Sequence, residues 1–198
     1  MALYIALAVL GGAFVGWAVL PPAAAALLDP AVTGLLACLV FLVGIDIGGN
    51  RAAWRQAAAI GPRLLLVPLA VAVGSLGGAA LAGALLAMPL KEAVAVGAGF
   101  GWYSLSGVLI AAAYSVELGT TAFLANVARE LIAFLLIPVL AARLGKLPAI
   151  APGGATTMDS TLPLITRVTD APTALAAFIS GLVLSAAVPV IIPLILAL

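Results

Sequence analysis

The chain has 198 residues, of which 66% are hydrophobic and 8% charged, with a net charge of +1 and a mean hydropathy of +1.35. A water-soluble domain needs far more polar surface than this, and the near-neutral balance offers no basic face for nucleic acid. Histidine is absent and cysteine occurs once, at Cys38, which removes the commonest metal ligand, the commonest general base and any intrachain disulfide.

Several apolar runs approach the roughly 20 residues that span a bilayer core, and none alternates as a barrel strand would. The pattern predicts an all-α polytopic membrane protein with about 6–7 transmembrane or re-entrant helices. In chain order the runs are 2–20, 32–47, 64–88, 93–114, 120–144, 148–165 and 171–198. They form one membrane domain over 1–198. The first run lacks a basic leader and reads as a span rather than a cleaved signal peptide. Cys38 reads as a small core residue. Between the runs stand Pro21-Pro22, Asp29-Pro30, the stretch GGNRAAWRQAAAIGPR at 48–63, MPLKE at 88–92 and GKLPAIAPGG at 145–154. These are turn and boundary compositions.

Arg51, Arg55 and Arg63 crowd one short loop, which the positive-inside bias assigns to the cytoplasm. The N-terminus is then inside and the C-terminus outside. Parity gives the same answer whether 93–114 and 148–165 both cross or both re-enter. Arg143 and Lys146 lie outside in the first case and inside in the second.

Two stretches are too polar and too flexible for uniform spans: GFGWYSLSG at 99–107 and GGATTMDSTLP at 153–163. Each has an ordinary reading, as a Gly/Ser packing face and as a surface loop respectively. Their joint presence predicts two interrupted helices near the midplane, whose half-helix ends attract ions and polar groups. Between them, Asn126, Arg129 and Glu130 are spaced i, i+3, i+4 in FLANVARELIAFLLIP and share one helical face. Charged residues at such depth mark function by default, although Arg129 and Glu130 can also serve as structural neutralisers. Asp159 is the acid of the second interruption. Asp46, in FLVGIDIG, stands near a glycine-loosened helix end. Most other charges fall in loops, with Glu117 near a helix end.

Enzymatic readings find no support. A serine nucleophile lacks histidine, the lysines that could replace it sit at boundaries, and a zinc site lacks ligands. No metal or cofactor is expected.

FLVGIDIG, GFGWYSLSG, NVARELIAFLLIP and GGATTMDSTLP, in this order and spacing, resemble the bacterial lysine exporter family (LysO-like) across essentially the whole chain. The resemblance implies export of L-lysine through the bacterial inner membrane, against protons. It points to Gly99, Trp102, Tyr103, Ser104, Ser106, Asn126, Arg129, Glu130, Thr156, Asp159, Thr161 and Pro163, with Asp46 less regular in the family. Family members typically carry about three further hydrophobic helices at the N-terminus. The expected partners are therefore the bilayer, lysine, protons, and a small membrane subunit or a second copy.

On this reading Asp159, assisted by Glu130 or Asp46, binds an ammonium group. Arg129 or a broken-helix N-terminus receives the carboxylate, and Ser104, Ser106, Thr156 and Thr157 supply hydrogen bonds. Other basic amino acids or organic cations are alternative cargoes. A non-transporting subunit of a heteromeric transporter is the alternative of another class, and a channel is disfavoured by the absence of a ring of charge.

Overall fold

A computed structural model describes residues 62–198 continuously, together with scattered positions between 11 and 55. The chain divides into two compact units, 1–51 and 52–198. The described residues of the first unit, among them Gly11, Phe14 and Ile45, are helical and exposed. Cys38 is a free thiol and exposed rather than in a core; a small apolar side chain is as compatible with an outward-facing helical position as with packing. Most of the expected runs 2–20 and 32–47, with Asp46, lie outside the described residues.

The second unit is all-helical among its described residues. Helix α1 covers Leu66–Leu85 after a 3₁₀ turn at Pro62–Leu65, and α2 covers Leu90–Gly97. Helix α3 covers Tyr103–Ala113 and α4 Val116–Arg143. After 3₁₀ turns at Pro148–Ile150 and Gly154–Met158 come α5, Leu162–Val168, and α6, Ala171–Ala197. Three of these, α1, α4 and most of α6, are long and apolar enough to cross a membrane. Helix α6 is the central one, with 50% of its spanning window buried against 17% for α1.

The expected span 93–114 is a hairpin. Helix α2 runs back along α1, with Ala93 against Gly83 and Gly97 against Ala79. Helix α3 then leaves along α4, with Gly107 against Phe123 and Ala111 against Gly119, where the missing side chains let the backbones approach. One groove brings 78–83 of α1 to 121–129 of α4, and another brings 66–75 to 136–140, so α1 and α4 are antiparallel. The two arms of the hairpin therefore begin and end at the same end of the bundle. There Tyr114 Oη donates to Glu92 Oε1 at 2.8 Å, and Lys91 Nζ stands 5.8 Å from the Tyr114 ring centroid.

The segment 146–170 is a second hairpin, entering from the opposite end. Its mouth is closed by Lys146 Nζ and Asp170 Oδ2 at 2.6 Å. Its shaft packs between α4 and α6 through Ile137, Ile150, Ile165, Ala177 and Ile179. Asp170 also caps α6, accepting from Thr173 N at 3.0 Å. The 3₁₀ turn Gly154–Met158 presses on Gly181, where a Cβ would lie 2.8 Å from Ala155 O. Both expected interruptions thus belong to hairpin segments, and α1, α4 and α6 are the helices long and apolar enough to cross.

Thiol labelling tests this directly. In a Cys38→Ser background, Lys91→Cys and Val116→Cys should react with an impermeant reagent from one face of the membrane, and Lys146→Cys and Arg167→Cys from the other. Labelling of positions 91 and 116 from opposite faces refutes the hairpin. The second mouth also has a pH signature. The Lys146 ammonium, then the Thr173 hydroxyl and N–H, hold the Asp170 carboxyl well below the usual carboxylate range. Its contribution is complete above the unfolded-state pKa and fades as pH falls below it. Asp170→Asn should lower Tm equally from pH 8 to about 5, and the gap should begin to narrow below about pH 4 and shrink steadily with further acidification.

Candidate functional site

Arg129 and Glu130 are the two central residues of the 28-residue α4, and both hairpin tips reach this level. At the first tip the helix stops because Phe100 (φ 49°) and Gly101 (φ 100°) turn left-handed. Phe100 is fully buried. Non-helical backbone at membrane depth needs protein partners, and Asn126 supplies them. Its Oδ1 accepts from Gly101 N at 2.7 Å. Its Nδ2 donates to Ala122 O at 2.8 Å and Val96 O at 3.2 Å, with Ser106 Oγ at 3.4 Å. Asn126 is a clamp on the break and is itself buried.

The second tip is held from the same face of α4, less than a turn further along. Arg129 donates through Nε to Pro152 O at 3.0 Å, through one terminal nitrogen to Ala151 O at 3.1 Å, and through the other to Ser75 Oγ of α1 at 2.9 Å. Three divergent bonds from one planar group fix α1, α4 and the tip together. Threonines hold the rest. Thr156 Oγ1 donates to Gly153 O at 2.9 Å and lies 3.2 Å from Thr161 Oγ1. The Thr157 hydroxyl lies 2.7 Å from both Gly154 O and Ala177 O. The two tips meet backbone to backbone, with Ala155 N donating to Phe100 O at 2.8 Å. Gly154 (φ 59°) faces Phe100 O and the Arg129 guanidinium, so no Cβ fits there.

The acids form a pair through Ser160. Its hydroxyl donates to Glu130 Oε1 and its N–H to Asp159 Oδ1. Glu130 is buried at 5% exposure, whereas Asp159 is exposed. Tyr103, the first residue of α3, is within electrostatic reach of both carboxylates, and its ring meets Phe123 edge-on at 5.5 Å. Trp102 and Ser104 flank it, half-buried. Helix α3 starts there without a side-chain cap, so its N–H dipoles face this region.

Asn126, Arg129 and Glu130 therefore do share an inward face, as their spacing requires, yet they do different things. Arg129 pairs with carbonyls and a serine, not with Glu130. Ser106, Thr157 and Thr161 are fully buried and sit behind the site, the first two against backbone carbonyls and Thr161 against the Thr156 hydroxyl. Asp46 lies outside the described residues. Ser75 and Ser160 are additions. Ser75 shows in sequence as a lone hydroxyl in VAVGSLGG, and Ser160 as the neighbour of Asp159. Among the described residues no cluster of three or more metal-ligating side chains occurs.

A family model described as "Lysine exporter LysO" matches residues 6–196. The chain is 40% identical over 157 residues to the protein named "Lysine exporter LysO" of Escherichia coli K12, covering 79% of this chain and 52% of that protein. It is 32% identical over 133 residues to the Haemophilus influenzae protein named "Putative lysine exporter", covering 67% of each. The chain thus spans about half the length of the E. coli relative. No solved structure matches it.

The close contact at Gly154 gives a stability test. Gly154→Ala drives a methyl into Phe100 O and should abolish the folded state in detergent. Gly145→Ala shares the left-handed backbone (φ 100°) but meets nothing within 4 Å. It should cost only about 1–2 kcal/mol, read from Tm.

Proposed function

This chain belongs to the lysine exporter LysO family, and on that premise we propose that it carries L-lysine outward across the inner membrane in exchange for protons. The single observation carrying this reading is the pairing of Glu130 with Asp159 across Ser160, at the level where the two hairpin tips meet. Two carboxylates gathered at the hairpin tips favour a proton or an ammonium group beside them. Lysine and protons then compete for the same carboxylates, which couples inward proton flow to outward lysine flow. Asp159, the exposed member, meets the ammonium first. Other basic amino acids satisfy the same pair.

The lysine carboxylate faces the uncapped N-terminus of α3 at Tyr103 and Ser104, since Arg129 is committed to Pro152, Ala151 and Ser75. Trp102 and Thr156 border the path of the cargo. Orientation follows from the basic side chains of the second unit. Arg63, Arg143, Lys146 and Arg167 share the end where α1 begins, and Lys91 lies at the other. The positive-inside bias puts the first end in the cytoplasm and the end of α6 outside. If the apolar runs expected from sequence at 2–20 and 32–47 both cross ahead of the 51–63 loop, the N-terminus is also cytoplasmic.

A subunit or second copy completes the exporter in this reading, since the aligned residues cover only 52% of the E. coli relative. A non-transporting subunit is the second reading. Protection of cells from a toxic lysine analogue by this chain alone overturns it.

The principal test is uptake of labelled lysine into inverted vesicles with an acid interior. Wild type should accumulate lysine in proportion to the gradient. Asp159→Asn and Glu130→Gln should each lower gradient-driven uptake at least tenfold. Wild-type rate and pH dependence in Asp159→Asn would show that this carboxylate has no coupling role.

A further inference from the structure

Arg129 is a cation at the middle of a spanning helix, and its hydrogen-bond acceptors are neutral: Pro152 O, Ala151 O and Ser75 Oγ. A guanidinium carries five N–H groups, so these three bonds leave two unused. Among the described residues the ion pair within 4 Å is Lys146–Asp170, and no carboxylate comes that close to Arg129. Its neighbour Glu130 turns instead to Ser160. At this depth a guanidinium with only dipoles around it is stabilised strongly by an anion that accepts from its remaining donors.

An anion has a way in. Arg129 is half-buried and lines a groove of about 370 Å³ between α1, α2 and α4. Small and apolar side chains form its walls, among them Gly78 and Ala82 of α1, Leu86 just beyond that helix, Ala93 and Val96 of α2, and Ala125 of α4. Its two polar linings besides Arg129 are already engaged as donors. Thr121 Oγ1 donates to Glu117 O at 2.9 Å, and Asn126 Nδ2 to Ala122 O and Val96 O. The lining runs along α1 from Gly78, near Ser75 and Arg129, to Leu86 at the Lys91 end. That is about 12 Å at the helical rise, the length of an extended chain of about eight carbons. Glu130, Asp159 and Ser160 are not among the lining residues, so the groove is separate from the acid pair.

We propose that this groove binds a short aliphatic carboxylate, its head on the two remaining N–H groups of Arg129 and its chain along Ala82 and Ala93 toward Leu86. Charge sets the head group, and the apolar walls set the chain. The test is thermal stabilisation of the purified full-length chain in detergent by octanoate, octylammonium and acetate. Octanoate should raise Tm along a saturating curve. Octylammonium, with the same chain and the opposite charge, should not raise it. Acetate, with the head and no chain, should act at least about tenfold more weakly. Gly78→Leu and Ala125→Leu fill the groove from α1 and α4 while leaving the bonds of Arg129 in place, and a Cβ at Gly78 meets nothing within 4 Å. Each should weaken octanoate at least about tenfold. Gly74→Leu, equally open but lining the neighbouring groove, should leave octanoate unchanged. Equal stabilisation by octanoate and octylammonium overturns the proposal, as does a response that survives both groove-filling changes or is absent from the wild type. Hexadecanoate should stabilise less than octanoate; the reverse traces the ligand to the bilayer rather than to water and overturns the short-chain assignment.

Discussion

At the middle of a membrane, water is not there to complete the hydrogen bonds of a helix that stops. Every N–H and C=O freed by a break must find a protein partner or cost several kcal/mol. This chain breaks two helical segments at that depth, and the side chains of α4 repay most of the freed groups. Asn126 serves the first break at Gly101 and Val96. Arg129, less than a turn further along, serves the second at Ala151 and Pro152. Thr156 and Thr157 serve carbonyls within the second tip itself. The breaks persist because their partners are stationed on a continuous 28-residue helix.

With that debt met, the breaks become useful. Each leaves a helix start or a turn pointing into the protein instead of toward lipid. Between the tips lies the pair of acids that Ser160 spans. The architecture separates labour among neighbours on one face: Asn126 and Arg129 hold the tips, and Glu130 meets Ser160 of the second tip. A surface ion pair such as Lys146–Asp170 adds little energy by itself, but it closes the mouth of a hairpin whose tip is held independently.

Much of this was legible in the sequence, for physical reasons. Apolar run length exposed α1, α4 and α6, because a bilayer tolerates little else. Glycines and hydroxyls at 99–107 and 153–163 exposed the breaks, because a lipid-facing helix has no use for them together. The spacing of Asn126, Arg129 and Glu130 exposed their common face. The sequence left the return of the hairpins open, because parity is the same for two crossings and two re-entries. The packing of each hairpin's arms, and the meetings of Glu92 with Tyr114 and Lys146 with Asp170 at their mouths, decide it. It also left open what Arg129 does. A charge at depth reads as a ligand until its partners are seen, and backbone carbonyls as partners have no signature in composition. Ser75, 54 positions from Arg129, belongs to the same blind spot.

The dependence of the first hairpin on Asn126 has a consequence for biosynthesis. The ribosome releases 90–113 before it releases α4, so Gly101 and Val96 emerge ahead of the residue that completes them. The leading hairpin has to wait at the lipid headgroups or inside the insertion machinery. Its tip gains its Asn126 partners only when the following span stands beside it. Assembly of this bundle is therefore ordered by hydrogen-bond supply, with the spans laid first and the folded-back segments seated afterwards.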